Sequence, residues 1–173
     1  MRKSLTGFSI LELTVVLIVI AVLAAIAISK LFPIQVDAER ASVENVIGGL
    51  RSAIGIKVAS YIAKDDVADV RRLVGSNPMD LLSEPPRNYL GTVSAAEMSG
   101  VPTGEWYFDI RAGVLAYRVV NAGYFRGGSG PPAEARFAVA PVYEDRNHNG
   151  RFDAGDMIQG VRLEAVQPYS WTP

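Results

Sequence analysis

Between residues 145 and 156 the chain reads Asp145-Arg146-Asn147-His148-Asn149-Gly150-Arg151-Phe152-Asp153-Ala154-Gly155-Asp156. Numbered as a twelve-residue calcium loop, it places oxygen-bearing side chains at positions 1, 3, 5, 9 and 12. Glycine falls at position 6, where such a loop turns sharply, and position 7 is Arg151, which would contribute its backbone carbonyl. The candidate ligands are therefore Asp145, Asn147, Asn149, Arg151, Asp153 and Asp156. Hard oxygen donors at alternate positions suit Ca2+. Two features depart from the pattern. Position 12 is aspartate rather than glutamate, a shorter arm that favours binding through one oxygen, and the flanks read as strands rather than helices. The same residues also suit a solvated Asn-Gly turn between two strands, because asparagine tolerates positive φ. If the loop does take Ca2+, three acidic and two amide side chains imply weak to moderate affinity, suited to calcium-rich space outside the cytoplasm.

A second chemically distinctive residue is Glu12. It interrupts the apolar run Phe8-Ser9-Ile10-Leu11-Glu12-Leu13-Thr14-Val15-Val16-Leu17, which continues to Ile28 and meets its first basic residue at Lys30. At roughly 1.5 Å per residue, residues 8–28 are long enough for a helix to cross a bilayer core of about 30 Å. A charged side chain inside such a segment costs on the order of 2.5 to 3.5 kcal/mol. Compensation must come from a partner, so Glu12 marks a functional contact.

Three accounts compete for the N-terminus. A secretory signal peptide has a basic start, a short apolar core and a small-residue cleavage site. Here the apolar run is longer, carries Glu12 and lacks a clean Ala-x-Ala exit. A plain signal anchor explains the length and the cytoplasmic placement of Arg2 and Lys3, but neither Gly7-Phe8 nor Glu12. The segment Lys3-Ser4-Leu5-Thr6-Gly7-Phe8-Ser9-Ile10-Leu11-Glu12-Leu13 closely resembles the class III leader of type IV pilins and type II secretion pseudopilins.

That resemblance carries specific implications. A prepilin peptidase/methyltransferase would cut between Gly7 and Phe8 and methylate the new amine of Phe8. Glu12 would become the fifth residue of the mature chain and meet the N-terminal amine of a neighbouring subunit during assembly. In low dielectric a carboxylate and an ammonium are each costly alone and compensate each other when paired. The partners implied are other pilin or pseudopilin subunits, in a homo- or hetero-polymer, and an inner-membrane assembly platform. The location implied is the bacterial inner membrane, single pass, with the C-terminal part in the periplasm. One feature departs from the family: its members often carry a proline well inside the membrane half of the first helix, whereas here the nearest is Pro33. Many pilins also close a disulfide near the C-terminus, and secretion pseudopilins bind calcium at a comparable place, which the acidic loop would match.

The elements that position these residues are legible in outline. Apolar residues recur at Val43, Val46, Ile47, Leu50, Ile54, Val58, Tyr61 and Ile62, one face of a helix, with Asp37, Glu39, Arg40, Glu44, Arg51 and Lys57 mostly off it. One helix is predicted from near Ser9 to about Ala63, softened at Gly48-Gly49 and Gly55, with Pro33 as the point of kinking or local opening. A short second helix is expected over 65–74, then a proline- and glycine-rich connection through about Gly104. Strands are predicted over 105–110, 114–120, 136–143 and 157–164, with a loop over 123–133. Trp106, Tyr107, Phe108, Tyr117 and Phe137 read as core and cross-strand packing. The fold class is α+β: a long N-terminal helix on an antiparallel sheet of about four strands, which is also the pilin-like fold. The divisions are a leader over 1–7, a transmembrane and assembly helix over 8–29, and a globular domain over 30–173.

Composition narrows the function classes. The net charge is −1, so no overall basic surface points to nucleic acid as the main partner. There is no cysteine, so stability outside the cytoplasm must come without disulfides. His148 is the only histidine, and no metalloprotease motif, phosphate loop or nucleophile constellation is present; the chain reads as a substrate of enzymes rather than an enzyme. The leading expectation is a structural subunit of a type II secretion pseudopilus. A type IV pilus subunit, serving adhesion, motility or DNA uptake, is the alternative, and a non-polymerising, membrane-tethered calcium-binding module is a third.

Overall fold

The computed structural model describes residues 8–128 and 130–172. The leader, and with it Gly7, lies outside the described residues. Helix α1 spans Ile10–Ala63 without a break and contains Pro33. Ser9 starts it in an extended conformation, and its Oγ accepts the backbone N–H of Glu12 at 3.1 Å, satisfying one donor that a helix N-terminus leaves unpaired. The helix ends where Asp65 adopts φ 56°. Helix α2, Val67–Arg72, follows, capped by the Asp66 carboxylate on the N–H of Asp69 at 3.1 Å.

Along α1 the environment changes sharply. No described side chain between residues 8 and 35 is buried, and this part of the helix is long and apolar enough to cross a membrane. From Val36 onward one face is inside: Val36, Val43, Ile47, Leu50 and Ile54 are buried, with Val46, Val58 and Tyr61 packed at the margin. Two expectations fail here. Ile62 is 56 % exposed, and Glu39, read as lying off the buried stripe, is 8 % exposed.

The sheet has five strands rather than four and is mixed rather than wholly antiparallel. Its strands are β1 (Tyr89–Val93), β2 (Trp106–Asp109), β3 (Val114–Arg118), β5 (Glu134–Glu144) and β6 (Met157–Ala165), in the order β1-β2-β3-β5-β6. β1 runs parallel to β2, and the remaining pairs are antiparallel. The proline- and glycine-rich connection thus contains a strand, with irregular register between Tyr89 and Thr92 and Gly91 at φ 92°. A second, two-stranded sheet pairs β4 (Phe125–Gly127) with β7 (Tyr169–Trp171), where only a loop was expected around β4.

The inner face of the large sheet meets α1. Trp106, Phe108, Leu115, Tyr117, Phe137, Val139 and Leu163 join the helix residues in one core, as the aromatic pattern predicted. Tyr107 points the other way, into a small cluster with Val93, Val101 and Ala116. Phe125, Tyr169 and Trp171 close one end, Phe125 and Trp171 edge-on at 5.0 Å. At Gly127 the backbone has φ 122°, and a Cβ would stand 2.7 Å from Tyr169 Cα. Gly127→Ala is therefore expected to cost about 2 kcal/mol or more, read as a lower urea midpoint; an unchanged midpoint would mean that the β4–β7 pair contributes little to stability.

Candidate functional site

Two regions bear the residues singled out by chemistry. At the start of α1, Phe8 is 69 % exposed and Glu12 lies in the first helical turn. Ser9 and Glu12 form the Ser-x-x-Glu spacing of a capping box, a local signal that the reading of Glu12 as a membrane charge overlooked. The backbone half of the box is made, Glu12 N–H to Ser9 Oγ. A carboxylate in the first turn also faces the positive end of the helix dipole, equivalent to roughly half a charge. Glu12 thus has partial local compensation, and a full cationic partner would still lower its energy in lipid.

The acidic loop joins β5 to β6 just beyond a bulge at Val142/Tyr143. Its backbone is curled by its own side chains. Asp145 Oδ2 accepts Gly150 N–H at 2.8 Å, Asn147 Oδ1 accepts Asn149 N–H at 3.0 Å, and Asn149 Oδ1 accepts Arg151 N–H at 2.7 Å. His148 at φ 58° and Gly150 at φ 71° supply the left-handed steps. Asp153 collects the loop from the other side: its Oδ2 accepts the amides of Asn147 at 2.8 Å and Asn149 at 2.7 Å, and its Oδ1 accepts Gly155 N–H at 2.8 Å. The Asn147 amide above all, then the Gly155 N–H and the Asn149 amide, hold the Asp153 carboxyl below the usual carboxylate range.

Asp145, Asn147, Asn149 and Asp153 are therefore brought together by direct or one-residue links. Asp156 is 5 % exposed and turned toward backbone, accepting Arg146 N–H at 3.2 Å and Asp153 N–H at 2.9 Å. Arg151 is tied in through its own N–H. Among the described residues, no group of three His, Cys, Asp or Glu side chains stands in metal-holding geometry. One atom is nevertheless unaccounted for: Asp145 Oδ1 is buried and has no hydrogen-bond partner. A buried carboxylate oxygen left bare is costly, and a cation on that oxygen would remove the penalty.

A site of another kind was not legible in advance. The Glu39 carboxylate, from the middle of α1, receives four donors from the opposite side of the fold. Tyr117 O–H reaches Oε1 at 3.1 Å and Val120 N–H at 2.6 Å; Asn121 N–H reaches Oε2 at 3.0 Å and its side-chain amide at 2.8 Å. Burial, reinforced by the neighbouring Glu39 charge, pushes the Tyr117 hydroxyl well above its ordinary pKa, so the phenol remains a donor. This arrangement fixes the helix to β3 and the segment after it.

Comparison with protein-family models, with curated proteins and with solved structures returned no match. The class that the geometry itself defines is a two-layer α+β domain carried on a helix whose first half is apolar, exposed and long enough for a membrane.

Proposed function

We propose that the chain is a structural subunit of a type II secretion pseudopilus, freed of residues 1–7 by a prepilin peptidase, methylated at Phe8 and assembled through α1. The observation that carries this reading is Glu12 in the first turn of α1, whose residues 10–28 are otherwise uncharged and exposed. With the leader removed, the amine of Phe8 would stand about one turn from that carboxylate, so each subunit presents one buried-type anion and one cation at the same depth. In the bilayer each is expensive alone, and two subunits offset both. The globular domain, from residue 30, then lies in the periplasm, and Val36 marks where the helix enters its core.

The acidic loop extends the proposal to Ca2+. Asp145 would bind through its bare Oδ1, Asp153 and Asp156 through carboxylates, Asn147 and Asn149 through amide oxygens, and Arg151 through its carbonyl. The two amides would exchange their donor contacts on Asp153 for metal contacts. In a chain without cysteine, such an ion would do the work of a disulfide on the β5–β6 connection. Calcium is expected to raise the melting temperature of the wild-type chain, and Asp145→Ala to abolish that rise; a wild-type melt insensitive to millimolar Ca2+ would remove calcium from the account.

Deletion of the gene separates the secretion reading from a type IV pilus. Scoring one strain for proteins in the medium and for surface filaments, we expect secretion to fail with filaments intact. Lost filaments with normal secretion would make the chain a pilin instead.

A further inference from the structure

A guanidinium fork joins α2 to the acidic loop. Arg71 Nη1 donates to the Asp153 carbonyl at 2.8 Å, and Nη2 donates to the Asp156 carbonyl at 2.7 Å. The same guanidinium lies over the Phe152 ring, 4.6 Å from its centroid. Phe152 in turn packs on Tyr143 of β5 at 5.0 Å. Two parallel donors in a planar fork fix the separation and direction of both acceptors, which a single ammonium cannot do. The acceptors belong to candidate ligand positions 9 and 12 of the loop, so Arg71 grips the backbone at the two residues whose carboxylates would close around a cation.

On its other side Arg71 belongs to a helix of only six residues. A helix that short has almost no stability of its own, and its docked state depends on tertiary contacts. Besides Arg71, the main anchors are Val70, 2 % exposed, and Leu73 just after it, 7 % exposed. α2 also follows the end of α1 across the left-handed Asp65, so its docking sets the path of the chain at the far end of the long helix.

We propose that Arg71 is a positioning residue that couples cation binding in the loop to the docking of α2. This rests on the calcium reading above. A cation held by Asp145, Asp153 and Asp156 immobilises the backbone at 153 and 156, and with it the two carbonyls that receive the fork. An ordered pair of acceptors holds Arg71, and through it α2, more firmly than a fluctuating pair. The coupling is reciprocal: whatever firmness the ion lends to α2, a docked α2 returns as affinity for the ion.

Hydrogen exchange on the full chain in detergent micelles, with calcium chloride against EGTA, tests this. In the wild type, calcium is expected to slow exchange in the loop over 145–156 and, by about tenfold, in α2. In Arg71→Met the loop response is expected to remain and the α2 response to vanish. Arg71→Lys, which keeps the charge without the fork, is expected to behave like Arg71→Met and serves if that variant fails to fold. Calcium slowing the loop but not α2 in the wild type would overturn the coupling, as would an α2 response that persists in both variants. A wild-type loop that does not respond at all would overturn the calcium reading itself, and the coupling with it.

Discussion

Replacing Glu39 by alanine is expected to lower the stability of the folded domain by about 3–5 kcal/mol, the size of effect seen when one partner of a buried charged network is removed. The reason is the company that Glu39 keeps. Its carboxylate is 8 % exposed and accepts from Tyr117, Val120 and Asn121, four contacts of 2.6 to 3.1 Å. With no side chain at 39, two backbone N–H groups and a phenol lose their acceptor inside the fold. In a chain of this size the loss corresponds to a melting temperature lower by about 10 °C, measurable by near-ultraviolet circular dichroism in detergent. Glu39→Gln keeps the shape but turns an N–H2 toward donors, so it is expected to remain well below wild type. A fall of under about 2 °C in the alanine variant would mean that the carboxylate is not what fixes α1 to the sheet.

Glu12→Ala is expected to abolish assembly while leaving membrane insertion intact. An unpaired charge in lipid costs on the order of 2.5 to 3.5 kcal/mol, so pairing favours the assembled state by about a hundredfold. Alanine removes both the penalty on the lone subunit and the reward for association. Variant subunits should accumulate in the membrane at or above the wild-type level and be depleted about a hundredfold from sheared or crosslinked polymer. The missing cysteines make the second readout clean, since any single engineered cysteine would be the only thiol. A tethered, non-polymerising domain would behave oppositely, inserting somewhat better and losing nothing else. Normal incorporation of the variant would exclude Glu12 from the assembly contact.

Much of this architecture could be read from the residues because the signals are local and periodic. The apolar run and the three-and-four spacing from Val43 to Tyr61 define α1 from Ile10 to Ala63; aromatic and aliphatic runs mark β2, β3 and β5, and apolar residues interleaved with polar ones mark β6. What escaped notice is either short or long-range. β4 and β7 have three residues each, too few for a period of two to show. β1 hides among prolines and glycines, with Gly91 in its middle. Glu39 looks like any solvated helix charge, since its donors lie 78 to 82 residues away. Arg71 is similar: its acceptors stand 82 and 85 residues further on. The acidic loop was visible as spacing, whereas the burial of Asp156 and the bare Asp145 Oδ1 depend on how β5 and β6 present it. The Ser9–Glu12 cap, by contrast, is local and legible as Ser-x-x-Glu spacing at the start of the apolar run.

Every step of the assembly account requires a free amine one turn from Glu12, and only cleavage after Gly7 creates it. The intact mass and N-terminal fragments of the chain purified from its native membrane test that most directly. The expected mass is that of residues 8–173 plus one methyl group, with the methyl on Phe8. A chain that retains residues 1–7, or is cut at any other bond, would contradict the account at its root.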